Sequence, residues 1–391
     1  MNRLQEILQS VREETESLDF PGPRKWKQAN PDGRCVGFFP VYCPVEILDA
    51  AGVLPVALFG GGEQIEVELA DARVQSFICS ISRSTLELGL TDRLDFMDGM
   101  LFGSLCDVAR NLSGVWARNF PDTYCDYLHF PQNLASDQAM DFYVHDLKRL
   151  AGDMAQLSGK SWSDEDLALS LDRYESLRAR LRKLQQIRCQ EPWRLSLEEF
   201  YCLLRAAGRR KVEAYIPVLD EVISILEKRD CRPVDGIRVV LEGSFCEQPS
   251  LELIRSLDQA HCFVVESDLA RGMCWFQEPI QRSDDPWLDL ARAYFKHAEA
   301  SVVRHRDPQE RSQRLLQRVQ DSGAEGVIFC TAKFCEPAFY DFVLHKRVLE
   351  QADVPYIAVE FEEKMSNFES IRTQAETFSE SILFFGEEAM A

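Results

Sequence analysis

Residues 326–343, GVIFCTAKFCEPAFYDFV, decide the fold class of this chain. An apolar, strand-like run passes through a short turn into a helix-like segment, and residues 99–111, GMLFGSLCDVARN, repeat the arrangement. A strand that leads directly into a helix is typical of α/β proteins with parallel sheets. Each turn carries a cysteine, Cys335 or Cys106, and the carboxyl ends of parallel strands are where such proteins bind ligands. We therefore expect both thiols at the functional edge of a sheet.

Strand-like and helix-like segments alternate in two parts of the chain, which a long helical stretch separates. The pattern predicts an α/β fold with two Rossmann/flavodoxin-like lobes with parallel sheets plus a helical bridging segment. The predicted units are an N-terminal helix at 1–20, a first α/β lobe at 20–135, a helical segment at 136–230 and a second α/β lobe at 231–391. In the first lobe, residues 66–88 have a helical pattern that includes Cys79, and PGP at 21–23 predicts a turn.

The composition of the chain indicates a folded, acidic protein. Of its 391 residues, 46% are hydrophobic, and 64 Asp and Glu outnumber 44 Lys and Arg, for a formal net charge of −20. Such a surface repels the phosphates of nucleic acids and anionic lipids, so neither nucleic acid nor a membrane is expected as a partner. The N-terminal MNRLQEILQSVREE has no apolar signal core, and no apolar run reaches the ~18 residues that span a bilayer. We predict a cytoplasmic protein whose cysteines are thiols or metal ligands.

Three cysteines, Cys79, Cys106 and Cys335, form the candidate cofactor and metal site. A helix N-terminus favours the thiolate, the form that binds iron, and three thiolate ligands on a cubane iron–sulfur cluster would leave one iron open to substrate or water. The three positions are far apart in the sequence, unlike the closely spaced cysteines of ferredoxins, so residue chemistry alone leaves open that they are buried structural groups. Cys43 follows another strand-like run and is an alternative ligand, whereas Cys330 lies inside a predicted strand.

Motifs of other cofactor and catalytic classes are absent from the sequence. It contains no GxxxxGK[ST], and the glycine run FGGGEQIE at 59–66 lacks GxGxxG spacing, which disfavours a nucleotide site. No CxxC, HExxH or GxSxG occurs either. The candidate catalytic proton donors are His129 and Glu46, with Glu247 and Asp268 as further candidates. Each has a structural alternative, such as a hydrogen-bonded core histidine or a carboxylate that stabilises a helix N-terminus.

Segments of the chain resemble, in order, one protein family. They are YCPVEILDAAGVLPV at 42–56, VQSFICSISR at 74–83, DGMLFGSLCDVARN at 98–111, CDYLHFPQN at 125–133, ESDLARGMCWF at 266–276, and GVIFCTAKFCEPAFYDF at 326–342 with VPYIAVEFE at 354–362. The chain is identified as a member of the family of cluster-bearing subunits of 2-hydroxyacyl-CoA dehydratases and ATP-dependent (class I) benzoyl-CoA reductases. The family positions of the cluster ligands match Cys79, Cys106 and Cys335, whereas the position of Cys43 often holds an apolar residue in the family.

The resemblance implies an enzyme subunit that holds a [4Fe–4S] cluster. DYLHFPQN and KFCEPAFYDF are more similar to the smaller cluster-binding subunit of benzoyl-CoA reductases, which implies reduction of benzoyl-CoA to cyclohexa-1,5-diene-1-carbonyl-CoA by single-electron steps in anaerobic aromatic degradation. The implied partners are a larger homologous cluster-binding subunit, an ATPase activator dimer with its own cluster, a ferredoxin as upstream electron donor, and the acyl-CoA substrate. The alternatives are a subunit of an (R)-2-hydroxyacyl-CoA dehydratase, which uses ketyl radical chemistry, and a non-catalytic iron–sulfur electron relay.

Overall fold

Two four-stranded parallel sheets form the framework of the chain. The computed structural model describes residues 2–244, 249–269, 278–297, 308–365 and 367–388. The strands of the first sheet are β1 (Arg34–Phe39), β2 (Val53–Ala57), β3 (Gly99–Gly103) and β4 (Tyr124–Leu128). Those of the second are β5 (Ile237–Gly243), β6 (Cys262–Ser267), β7 (Gly326–Ala332) and β8 (Tyr356–Phe361). The predicted α/β fold class, with two lobes of parallel sheet, is confirmed.

Helices accompany both sheets and fill the stretch between them. With the first sheet are α1 (Arg3–Glu16), α2 (Pro21–Ala29), α3 (Val45–Ala50), α4 (Ser80–Leu90) and α5 (Asp107–Asn119). The bridging stretch contains α6 (Ala139–Ser158), α7 (Asp164–Gln190), α8 (Leu197–Ala207) and α9 (Val212–Lys228). With the second sheet are α10 (Leu251–Gln259), α11 (Pro286–His297), α12 (Pro308–Ser322), α13 (Glu336–Gln351) and α14 (Glu369–Glu388). Within the described ranges, no helix combines the length and the apolar character needed to cross a membrane. The residue boundaries of the four units stay a prediction.

Both sheets have the same strand order. The first runs β2–β1–β3–β4 and the second β6–β5–β7–β8, with every neighbouring pair parallel. Strands β2, β3 and β7 are buried at every residue, because parallel sheets are covered on both faces. In each sheet the direction of winding reverses at the central pair, β1 and β3 or β5 and β7. The crevice outside the carboxyl ends of the strands at such a reversal is a ligand-binding position.

Helix α7 holds the two lobes together. It begins with a capping box in which the Ser163 side chain accepts from the N–H of Asp166. Farther along, the Arg178 guanidinium forms an ion pair with Glu46 of α3 in the first lobe. Near the end of the helix, Nη2 of Arg188 donates to the carbonyl of Val264 in β6 at 2.6 Å. One helix therefore contacts both lobes through buried arginines.

Two local predictions for the first lobe are wrong. The helix predicted at 66–88 begins only at Ser80, because the preceding residues form turns in which the N–H of Ala70 donates to the Glu87 carboxylate at 2.7 Å. The PGP at 21–23 is the first turn of α2 and not a separate turn. Proline fits this position, because its φ is already helical and the N–H that it lacks has no acceptor in the first turn.

The glycine run at 59–66 closes part of the interface between the lobes. The N–H of Gly62 donates to Oε1 of Glu363, just after β8, at 2.9 Å. A Cβ at Gly60, where φ is +75°, would lie 2.0 Å from the same oxygen. The glycines therefore let the backbone of the first lobe surround a carboxylate of the second.

Candidate functional site

A cavity of about 150 Å³ lies between the carboxyl edges of the two sheets. Its walls come from residues that follow β1 and β3 in the first lobe and from the ends of β5, β6 and β7 and the start of α13 in the second. Many lining side chains are apolar, among them Phe39, Ile81, Leu105, Phe329 and Phe342. The lining also includes Cys79, Cys106 and Cys335. The structure therefore brings the three cysteines selected from the sequence to one cavity.

Cys106 and Cys335 occupy equivalent positions in the two lobes. Each is the third residue after a strand, since β3 ends at Gly103 and β7 ends at Ala332, and each is the N-cap of the following helix. The second-lobe turn contains Phe334 with φ of +66°, a left-handed conformation that is uncommon for a residue with a large side chain. The chain thus uses one strand–turn–helix arrangement twice to present a thiol at a sheet edge.

Cys79 reaches the cavity from an irregular segment. It is the N-cap of α4 and not an interior helical residue, and its Sγ lies 3.1 Å from Oγ of Ser82. The nearby Phe77 also lines the cavity while remaining 66% exposed. All three thiols therefore lie at helix N-termini, where the helix dipole favours negative charge.

Burial outweighs this effect at Cys106. Desolvation raises the pKa of the Cys106 thiol above its ordinary value, although the backbone N–H of Ala109 stabilises the thiolate. The carboxylate of Asp107 raises the pKa further, and the N–H of Val108 lowers it. The neutral thiol is therefore favoured, and binding of a metal at this sulfur would release a proton.

The second lobe supplies a group of ionisable side chains at the cavity. Glu242 is the next-to-last residue of β5, Asp268 follows β6, and His345 is in the third turn of α13. Nε2 of His345 lies 3.8 Å from Oε1 of Glu242, and Nη1 of Arg318 in α12 lies 2.5 Å from Oε2 of Glu242. The N–H of Gly243 donates to Oδ2 of Asp268 at 2.8 Å. The second-lobe wall thus contains one imidazole and four carboxylates, those of Glu242, Asp268, Glu336 and Asp341.

Asp268 is among the residues selected from the sequence, whereas Glu242 and His345 are not. A signal for Glu242 was available, because it is a carboxylate at the end of the otherwise apolar run GIRVVLEG, at an edge where ligands bind. His345 gives no such signal, since it lies within an ordinary helical pattern. The fold alone brings it to Glu242.

Other residues selected from the sequence lie away from this cavity. Glu46 is fully buried in α3, and its ion pair with Arg178 gives it a structural role. Cys43 is buried beside a different cavity, of about 70 Å³, which Arg178 also lines. His129 is exposed just after β4 and is not among the lining residues, so a catalytic role for it stays a prediction. Glu247 lies outside the described residues.

The thiols of the cavity fit an iron–sulfur cluster in their chemistry. Three thiols from three helices converge on an apolar cavity, and thiolates are the usual ligands of such clusters. In the part of the chain that the structure describes, no group of three or more His, Cys, Asp or Glu side chains could hold a metal ion. Ligands of a cubane cluster bind different irons, so they are spaced more widely than the ligands of one ion. We therefore regard the three cysteines as candidate ligands of a polynuclear group.

The chain matches a known protein family over most of its length. The profile of the family 2-hydroxyglutaryl-CoA dehydratase, D-component, matches residues 40–382. The chain is also 37% identical over 368 residues to a benzoyl-CoA reductase subunit from Thauera aromatica, and the match covers 94% of this chain and 95% of that protein.

Two dehydratase subunits are similar at lower identity. The (R)-phenyllactyl-CoA dehydratase beta subunit of Clostridium sporogenes is 24% identical, with 89% of this chain and 92% of that protein covered. The (R)-2-hydroxyglutaryl-CoA dehydratase beta subunit of Acidaminococcus fermentans is also 24% identical, with the same coverage of 89% and 92%. The names of all these relatives describe subunits of enzymes.

Proposed function

Because the chain belongs to the family of the 2-hydroxyglutaryl-CoA dehydratase D-component, we propose that it is the smaller cluster-binding subunit of an ATP-dependent benzoyl-CoA reductase. In this role it takes part in the reduction of benzoyl-CoA to cyclohexa-1,5-diene-1-carbonyl-CoA in single-electron steps. One observation carries the proposal: the N-cap thiols of Cys79, Cys106 and Cys335 line one apolar cavity between two sheet edges. The 37% identity to a benzoyl-CoA reductase subunit favours ring reduction over dehydration.

The three thiols would hold a [4Fe–4S] cluster in this cavity. When bound, such a cluster supplies single electrons at low potential. Three cysteine ligands leave one corner for another ligand, because no fourth cysteine of the described chain is among the lining residues. The apolar walls exclude water, and together with hydrogen bonds to sulfur they set the potential.

The remaining wall is suited to an aromatic thioester. Phe77 and Phe334 offer ring faces and edges against which an aryl group can pack. Ser82 and Thr331 place hydroxyl groups in the same wall, and these can donate hydrogen bonds to a thioester carbonyl. A donor at this carbonyl stabilises the negative charge that develops when an electron enters the conjugated system.

An exposed apolar surface next to the cavity supports the proposed protein partner. Phe339, Tyr340 and Val343 of α13 are exposed, as are Phe77 and Phe334 of the cavity wall. Exposed large apolar side chains grouped in this way mark protein interfaces. We assign this surface to the larger homologous subunit, so that the acyl-CoA lies between the two chains. A cytoplasmic ATPase activator dimer with its own cluster, reduced by a ferredoxin, completes the proposed electron path.

An assay of the reconstituted enzyme tests the proposal. The chain is co-expressed with its larger partner and purified anaerobically, iron is measured, and benzoyl-CoA or an (R)-2-hydroxyacyl-CoA is supplied with activator, ATP and a reductant. We expect about four irons bound through this chain and ring reduction coupled to ATP hydrolysis. Absence of iron from the purified complex would contradict the cluster assignment.

Dehydration is the second candidate function, because two relatives at 24% identity are dehydratase subunits by name. If the complex converts only the 2-hydroxyacyl-CoA, dehydration replaces ring reduction as the proposed function. Iron binding without acyl-CoA binding, measured by titration calorimetry of the complex with benzoyl-CoA, would instead identify a non-catalytic electron relay.

A further inference from the structure

We propose that Glu242 and His345 form the proton-delivery pair of the cavity, in which Glu242 protonates the substrate and His345 supplies the proton to Glu242. The inference rests on the proposed function, because it identifies the source of the protons that ring reduction consumes. Both residues line the cavity, and neither is a candidate cluster ligand. Neither was selected from the sequence, so the assignment comes from their positions in the fold.

The two oxygens of Glu242 have different partners. Oε2 accepts from Nη1 of Arg318 at 2.5 Å, which fixes this oxygen as a charge-paired acceptor. Oε1 faces Nε2 of His345 at 3.8 Å. This separation exceeds the length of a hydrogen bond by a few tenths of an ångström. The hydrogen bonds of catalytic pairs are often long before substrate is bound. Oε1 is therefore the oxygen that can exchange a proton.

The surroundings of His345 orient its ring. Nδ1 lies 3.3 Å from Oγ of Ser312, and the ring is nearly parallel to that of Phe329, with an interplanar angle of 13°. The residue is only 5% exposed, so its orientation is set by packing. Nδ1 thus faces Ser312 and Nε2 faces Glu242, and the proposed relay uses the form of the ring with a proton on Nε2.

Charged groups of three elements lie around the pair. They are Arg311 and Arg318 of α12, Glu266 and Asp268 at the end of β6, and Asp341 of α13. Arg311 forms an ion pair with Asp341, and Nη2 of Arg318 lies 3.7 Å from Glu266. The guanidinium of Arg318 forms an ion pair with the carboxylate of Glu242. In the proposed relay the imidazole of His345 carries the proton that Glu242 receives.

The proton steps balance with the electrons of the proposed reaction. Ring reduction adds two electrons, from a one-electron iron–sulfur donor protein driven by ATP, and two protons. For each proton, Nε2–H of His345 transfers its proton to Oε1 of Glu242, and the Oε1–H bond then breaks as a C–H bond forms on the ring. Each transfer leaves a neutral imidazole, to which solvent then returns a proton.

The test uses His345→Gln and Glu242→Gln in the complete enzyme complex. Glutamine keeps a polar amide at each position but cannot transfer the proton. We expect kcat for ring reduction to fall about 100-fold in each variant, as for loss of a general acid, with KM nearly unchanged. The iron content and the electron paramagnetic resonance signal of the reduced cluster should stay as in the unsubstituted complex. Matched controls are His145→Gln and Glu350→Gln, at exposed positions of α6 and α13, which should leave kcat unchanged.

Two further measurements separate proton delivery from a structural role. The pH profile of kcat should differ between the unsubstituted complex and His345→Gln, because the variant lacks one of the two proton-binding groups of the pair. Glu242→Asp should restore part of kcat. Variants with full kcat and an unchanged pH profile, or variants that lose iron, overturn the proton-delivery pair while the proposed function stands. An unsubstituted complex that binds iron but does not reduce benzoyl-CoA overturns both.

Discussion

The two lobes share a strand order but differ in what they supply to the cavity between them. The first lobe provides two thiols, Cys79 and Cys106, in a largely apolar wall. The second provides one thiol, Cys335, together with the ionisable groups Glu242 and His345. The equivalent strand–turn–helix arrangements account for one thiol in each lobe. The comparison teaches that a repeated framework places a thiol at the same edge of each sheet, while residues elsewhere in each lobe decide which other groups line the cavity.

The largest expected effect tests whether the equivalent thiols act as one unit. Cys106→Ala and Cys335→Ala should each remove bound iron and reduce ring-reduction activity to background, because both sulfurs would bind the same cluster. Iron is measured by colorimetric assay and activity with benzoyl-CoA. Cys231→Ala, outside this cavity, is the control and should retain both. Full iron content in either cavity variant would show that the thiols of the two lobes do not bind one shared cluster.

Substitution of the glycines at strand ends should reveal which of the two sheets is packed more tightly at its carboxyl edge. A Cβ at Gly243 in β5 would lie 1.9 Å from the Cys330 carbonyl oxygen, whereas a Cβ at Gly103 in β3 would lie 3.1 Å from that of Tyr42. We expect Gly243→Ala to lower the free energy of unfolding by about 3 kcal/mol or more and Gly103→Ala by about 1 kcal/mol.

Urea unfolding measures these differences. Gly114→Ala, in the middle of α5 with open space around its Cβ, is the matched control and should raise stability by up to about 1 kcal/mol. Equal losses for Gly243→Ala and Gly103→Ala would contradict the comparison of the two edges.

Asp49 fixes the first lobe to the bridging helices and should make stability depend on acid. Burial raises the pKa of Asp49, but Lys211 and Arg173 more than compensate and hold it below its ordinary value of 3.8. The ionised form therefore adds stability that is complete above about pH 4 and is lost as pH falls through the lowered pKa. We expect Asp49→Asn to cost roughly 2 kcal/mol at pH 7, because both cationic partners are partly exposed, and less at pH 3.

Urea unfolding of both proteins between pH 3 and pH 7 checks this, with the exposed Asp284→Asn as control. A loss of stability that does not shrink toward pH 3 would show that Asp49 acts through packing and not through its charge.

Glu363 fixes the second lobe to the first and should have the opposite pH dependence. Burial raises the pKa of Glu363, although the side chain of Ser84 and the N–H of Gly62 partly compensate. Because the pKa of Glu363 is higher in the folded than in the unfolded chain, its protonated carboxyl group adds stability below the ordinary value of 4.5. This added stability is lost as pH rises through the folded-state pKa. Glu363→Gln keeps an oxygen for Gly62 and should therefore stabilise the chain by roughly 1 kcal/mol at pH 8.

The difference in unfolding free energy between pH 5 and pH 8 should accordingly be smaller in Glu363→Gln than in the unsubstituted chain. Destabilisation of this variant at pH 8 would show instead that the ionised carboxylate is needed by the nearby arginines.

Local sequence patterns are sufficient to predict the two parallel sheets and the positions of two of the three thiols at helix N-termini. An apolar strand running into a helix is visible around Cys106 and Cys335, because all of its determinants lie within about twenty residues. Periodicity places Cys79 inside a helix, since the interaction that interrupts the helical pattern is a contact between Ala70 and Glu87 that periodicity does not encode. The pairing of Glu242 with His345 depends on how β5 and α13 pack, so no local pattern could reveal it.

The contact between Glu363 and the glycine run would restrict how the proposed cluster could enter the cavity. Swinging the lobes apart would strip a buried carboxylate from the N–H of Gly62 and would also break the arginine contacts of α7 on both sides. If the chain holds the proposed cluster, the cluster is therefore expected to enter before the two lobes have closed.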